Sequence, residues 1–150
     1  MKPFRFALER LLRLREMRER DQAEQLGHAL RAERDQRTAL ERAQAELERA
    51  GEQVSRAPDA ARPAGAVRNL GLTLQAAALA ADAADRAHRD SMASVEQEQE
   101  RFGEARRDRR VLEKLRDRRR AGWSEDSARA EQREADGLTE ARRHTHREES

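Results

Sequence analysis

One short stretch decides how this chain can be laid out. The segment Ser55-Arg56-Ala57-Pro58-Asp59-Ala60-Ala61-Arg62-Pro63-Ala64-Gly65 holds two of the three prolines in the sequence. A proline inside a helix removes a hydrogen bond and clashes with the preceding turn, at a cost of about 3 kcal/mol. Two of them so close together end any helix. The third, Pro3, stands where a helix can begin, because the first turn has no use for its missing N–H. These breaks predict one coiled-coil hairpin over 1–150. It has a helix over about 3–55, a Pro/Ala/Gly loop over 56–68, a longer helix over about 69–143 and a frayed tail over 144–150. At ~1.5 Å per residue the helices would be roughly 80 and 110 Å long.

Composition supports helices and little else. Aromatic residues make up 3% of the 150 and charged residues 41%. Three Phe and one Trp are too few to fill a globular core of this length. Isoleucine is absent, and so few β-branched residues make a sheet implausible. Ala, Leu, Arg, Glu and Gln, the strong helix formers, dominate. Lys plus Arg number 32 and Asp plus Glu 30, for a formal net charge of +2. Charges of both signs can therefore pair along helix faces, as at Glu9–Arg13, Glu16–Arg20, Glu33–Arg37, Asp82–Arg86 and Asp85–Arg89.

The first helix carries a seam of 3–4 spacing. One row is Leu12, Glu19, Leu26, Glu33, Leu40, Leu47 and Val54. The other is Leu8, Arg15, Gln22, Ala29, Gln36, Ala43 and Ala50. The half nearest the loop is apolar. The middle is interrupted by Arg15, Glu19, Gln22, Glu33 and Gln36. The second helix matches it with Leu74, Ala81, His88, Val95, Phe102 and Arg109 in one row. Ala77, Ala84, Ser91, Glu98, Ala105 and Leu112 form the other, and the phase slips near Leu112 and Leu115. Folding the chain at the loop sets Leu47 against Ala77, Leu40 against Ala84 and Leu12 against Leu112, so residue numbers of facing positions add to about 124. In that register the first helix runs out near Arg120, the chain from Ala121 on projects alone, and Gly122 marks a bend. The fold expected is all-α, an antiparallel two-helix coiled coil with a thin, marginal seam.

Chemistry-bearing groups are sparse. Cysteine is absent, which removes disulfides, thiol catalysis and Cys-based zinc sites. The serines have no His and carboxylate at a nucleophile spacing, and no Gly-rich phosphate loop occurs. His144 and His146 form an H-x-H pair in the tail, where a solvated pair is expected rather than a metal site. His88 falls on the seam as a half-buried histidine. We expect no enzyme, no cofactor and no metal. No apolar segment of signal-peptide or membrane length is present, which predicts a cytoplasmic protein.

Charge is unevenly placed. Residues 105–120 carry nine basic and three acidic groups, and the first twenty residues carry seven and three. In the hairpin register these segments lie side by side and make one end strongly basic. Glu96, Glu98, Glu100 and Glu104 form an acidic patch just inboard. Phe4, Phe6, Leu11, Leu14 and Trp123 share the basic end. Arginine with aromatics is the composition of interface hot spots. The same residues can instead close the coiled coil by packing on one another, and both readings stand at this point. Nucleic-acid binding is disfavoured, because the basic residues cover all faces and no aromatic interleaves them for stacking. An acidic protein socket fits a basic end better.

The opening Lys2-Pro3-Phe4-Arg5-Phe6-Ala7-Leu8-Glu9-Arg10-Leu11-Leu12-Arg13-Leu14-Arg15-Glu16 resembles the start of flagellar FliJ proteins. Leu112-Glu113-Lys114-Leu115-Arg116-Asp117-Arg118-Arg119-Arg120, Trp123 and Ala130-Glu131-Gln132-Arg133-Glu134-Ala135-Asp136 resemble the same family's C-terminal pattern. Length and layout agree along the whole chain. The resemblance implies an antiparallel coiled coil like the stalk of rotary ATPases, serving the flagellar type III export apparatus. It implies three partners: the export ATPase ring, the membrane export-gate protein and export chaperones. It places the chain in the cytoplasm, peripherally at the inner face of the membrane. The implied ATPase-facing residues are Phe4, Phe6, Leu8, Leu11, Leu112, Leu115, Arg116, Arg119 and Trp123. The implied gate-facing residues are Leu40, Leu47, Ala77, Ala81, Ala84 and His88, although this chain has alanine where the family often has aromatics. ATP hydrolysis would belong to the partner. Two other readings of the residues remain: a coiled-coil spacer without a motor partner, and an Arg-rich nucleic-acid-binding helix pair.

Overall fold

In the computed structural model, which describes residues 3–56 and 63–148 and side chains through 137, two helices account for nearly everything. Helix α1 spans Glu9–Ser55 and α2 spans Ala64–Glu148, 47 and 85 residues long. The second helix is the longer, as the breaks require. The fold class is all-α, an antiparallel two-helix coiled-coil hairpin. Its residues group into two compact units. The terminal unit comprises Met1–Glu19 with Ala105–Ser150, and the loop unit comprises Arg20–Glu104.

The helix bounds differ from the sequence expectation in instructive ways. Helix α1 starts at Glu9, not near Pro3. Residues 3–6 are non-helical and a turn at 7–8 leads into the helix, with Glu9 N–H donating to the Phe6 carbonyl at 3.2 Å. Phe6 is buried, so packing of its ring takes precedence over extending the helix. Helix α2 starts at Ala64, earlier than 69. Pro63 behaves as a first-turn proline: its carbonyl accepts from Ala66 N–H at 2.9 Å, and its missing N–H would have been unpartnered anyway. Gly122 makes no break, and α2 runs on through Glu148 on residues that favour helix. The expected H-x-H pair, His144 and His146, lies outside the described side chains. Pro58 lies outside the described residues, and α1 ends shortly before it at Ser55, whose hydroxyl donates back to the Gly51 carbonyl at 3.0 Å.

The seam itself follows the heptad reading. Every member of the two α2 rows is buried or half-buried, with Ala81 and Ala105 at the centre. On α1, Leu12 is 1% exposed and Ala50 is buried. The ends of the α1 rows depart from it: Leu8 and Val54 are each 38% exposed. Where the phase was expected to slip, Leu112, Glu113, Leu115 and Arg116 are all half-buried, so α2 turns a broader face inward there. Three of the expected same-helix ion pairs form: Glu9–Arg13, Glu33–Arg37 and Asp85–Arg89.

Candidate functional site

Three of the five polar residues that interrupt the α1 seam, Arg15, Glu19 and Glu33, lie against charged or titratable side chains of α2. In the terminal unit, Arg15 donates to Asp108 at 2.8 Å, and Arg109 donates to Glu19 while also pairing with Glu113. Arg109 and Glu19 are largely covered, and the bond to Glu19 raises the Arg109 guanidinium above its ordinary value, with Glu113 adding to the effect and burial opposing it. That contribution is fully present at neutral pH, because the raised group stays charged throughout the physiological range. In the loop unit, Glu33 is buried and accepts from Arg37 at 2.8 Å, with His88 Nδ1 at 3.7 Å from the same oxygen. His88 Nδ1 and Gln22 Oε1 are buried without a hydrogen bond. These cross-helix pairs connect residues whose numbers add to within about four of 124, so they mark the antiparallel register. The sequence carried part of the signal: Glu19 and Arg109 are opposite charges on the seam rows of the two helices, and Asp108, which meets Arg15, stands one residue off the row.

The aromatic question resolves toward closure of the coiled coil, with a contact surface left beside it. Phe4 packs on Trp123 with ring centroids 6.0 Å apart and planes tilted by 52°. A helical register would have set Phe4 opposite residues near 120. Non-helical backbone spans up to ~3.3 Å per residue against ~1.5 Å in a helix, so the unwound 3–8 segment lets Phe4 reach further along α2. The chain beyond Ala121 is therefore not alone at Trp123, which is half-buried against Phe4.

The nine residues implied for ATPase contact thus divide. Phe6 is buried; Phe4, Leu112, Leu115, Arg116 and Trp123 are half-buried; Leu8, Leu11 and Arg119 are exposed. Two more apolar side chains join the exposed set, Leu14 and Met17, both 59% exposed. Leu11, Leu14 and Met17 recur every three residues along the start of α1, off the seam, and Leu8 ends a seam row just before it, among Arg10, Arg13 and Arg18. On α2 of the same unit the run Arg118-Arg119-Arg120 is exposed. The terminal unit presents leucine and arginine together.

The six residues implied for the gate lie on the seam of the loop unit. Ala81 is buried, and Leu40, Leu47, Ala77, Ala84 and His88 are half-buried. They hold the helices together, so a partner would reach them only by opening the pair. The concave surface nearby is a groove of about 650 Å³ whose lining includes Leu30, Arg37, Arg89, Met92, Val95 and Glu96. Sequence reasoning missed Met92 because it sits off both seam rows.

No group of three or more His, Asp or Glu side chains that could hold a metal occurs among the described residues. No helix among them is long and apolar enough to cross a membrane. The family model for the flagellar FliJ protein matches residues 4–149. No curated protein and no solved structure matches the chain.

Proposed function

Because the chain belongs to the flagellar FliJ family and is thereby a component of the flagellar export apparatus, we propose that it acts as a coiled-coil stalk whose terminal unit docks on the export ATPase ring. The observation that carries this reading is the composition of the terminal unit's surface. Leu8, Leu11, Leu14 and Met17 are exposed on α1 between arginines, and an arginine run stands exposed on α2. Leu11 and Leu14, neighbours one turn apart, suit an apolar pocket, and clustered guanidiniums suit carboxylates around it. The Phe4–Trp123 contact, the buried Phe6 and the ion pairs from Arg15 and Arg109 hold that surface in shape rather than forming it.

In this reading the loop unit faces the membrane export gate and the export chaperones. Its groove, with Arg37 and Arg89 near Glu33 and Glu96 around Leu30 and Met92, offers mixed charge about an apolar floor. The stalk carries no chemistry of its own. Hydrolysis takes place in the ATPase, and the stalk transmits its conformational change toward the gate.

The test is retention of the export ATPase by the immobilised chain. Replacing Leu11 and Leu14 together by Asp should abolish retention while leaving helix content unchanged by circular dichroism. Replacing Trp123 by Ala should weaken retention by a smaller factor, through loosened packing. A chain that never retains the ATPase at moderate salt would refute the proposal.

A further inference from the structure

From residue 69 to 81, Asn69-Leu70-Gly71-Leu72-Thr73-Leu74-Gln75-Ala76-Ala77-Ala78-Leu79-Ala80-Ala81, α2 carries no charge at all, in a chain that is 41% charged. Seam duty explains only one face of this run. Leu70, Leu74, Ala77 and Ala81 are buried or half-buried against α1, whereas Leu72 is 57% and Leu79 62% exposed. Leu72, Ala76, Leu79 and Ala83 follow one another at spacings of four, three and four, and all four are exposed. At ~100° per residue they form a second coiled-coil stripe on the side of α2 opposite the seam. A helix that carries apolar stripes on two opposite sides ordinarily has cover on both, and here the outer stripe has none within the loop unit.

We propose that this stripe pairs with the same stripe of a second copy of the chain, antiparallel and about a two-fold axis. The stripe reads Leu-Ala-Leu-Ala, and reversing it gives Ala-Leu-Ala-Leu. In an antiparallel pair Leu72 of each copy meets Ala83 of the other, and Leu79 meets Ala76. Each large side chain faces a small one, as a close helix pair requires, and one surface serves both partners. The centre of the stripe contributes no charge to desolvate, charge entering only at its ends with Arg68 beside Leu72 and Asp82 and Arg86 beside Ala83, which matches the charge-depleted centre and polar rim of protein interfaces. Two leucines and two alanines per copy fall well short of the ~800 Å² per partner of a standard interface, so the dimer is weak, with a Kd on the order of 100 µM.

Sedimentation equilibrium of the full chain tests this directly. The weight-average mass should rise from 17.2 kDa toward twice that value with concentration, and Leu79→Glu should hold it at the monomer value with helix content unchanged. Orientation is read by cross-linking. The native chain has no cysteine. The double variant Leu72→Cys/Ala83→Cys should form disulfide-linked dimers at least about ten times faster than either single variant. Within one chain those positions lie ~16 Å apart along the helix, too far for a disulfide, which needs Cα atoms within ~7 Å. A wild-type mass that stays at the monomer value up to about 1 mM overturns the proposal. So does a Leu72→Cys single variant that cross-links as fast as the double, because that outcome means a parallel pairing.

Discussion

The two units are built from the same pair of helices but held by different means. The terminal unit closes on a fully buried leucine, two aromatics in contact and a set of cross-helix ion pairs. Leu12, Phe4–Trp123, Arg15–Asp108 and Arg109–Glu19 supply them, with Glu113 pairing to Arg109 from within α2. The fully buried apolar positions of the loop unit are alanines, Ala50 and Ala81, flanked by half-buried Leu40, Leu47 and Leu74, with one buried acid among the described residues, Glu33, beside His88. Small side chains let two helices approach closely but bury little area, so each alanine contact is weak. The difference teaches that one heptad pattern can be satisfied in two ways, and that each way leaves a different surface free. The terminal unit exposes leucine among arginine, and the loop unit exposes an uncharged leucine-alanine face.

This comparison breaks first at its largest side chains. Leu12→Ala should cost about 2–4 kcal/mol, because the side chain is essentially fully buried and a thin seam refills the cavity poorly. Hydrogen exchange should show the loss in α1 residues 9–19 and α2 residues 105–116. Overfilling the alanine seam is the counterpart: Ala81→Leu should cost about 1–3 kcal/mol, with the loss confined to the loop unit. Equal loosening of both units by either variant would contradict their separate construction.

The ion pairs come next. Arg109→Ala strands Glu19 and Glu113 in a largely covered site and should cost about 1–3 kcal/mol. By contrast, replacing Glu33 and His88 together by Leu should be neutral or stabilising, since it removes a buried acid and an unbonded ring nitrogen. Thermal unfolding followed by circular dichroism distinguishes the two. The aromatic contact is smaller. Phe4→Ala should cost about 0.5–1.5 kcal/mol beyond lost area, and it should red-shift the emission of Trp123, the one tryptophan in the chain. Least of all, Arg13→Ala breaks an exposed pair with Glu9 and should change stability by no more than about 0.5 kcal/mol.

Much of this fold is legible in the sequence, for stated reasons. The proline pair dictates two helices, and the 3–4 rows identify the seam residues of α2 throughout. What the rows do not carry is the N-terminal turn. Nothing in the spacing says that Phe6 leaves the helix to be buried, and that departure is what brings Phe4 to Trp123. Pro63 and Gly65 read as breakers from composition, yet a proline in the first turn of a helix is no obstacle. The candidate surfaces were half legible. The basic, aromatic-bearing end was visible from position, but only burial separates the exposed leucines from the aromatics that pack beside them. The outward face of α2 has its sequence signal in the charge-free run from Asn69 to Ala81, which a search for seam positions passes over.

The central claim is that the terminal unit is the part that meets the export ATPase. Hydrogen exchange of the full chain with and without the ATPase tests it most directly. Added protection is expected in residues 3–19 and 105–130 alone, with none in 64–90. Protection that falls in the loop unit and spares the terminal unit would contradict it.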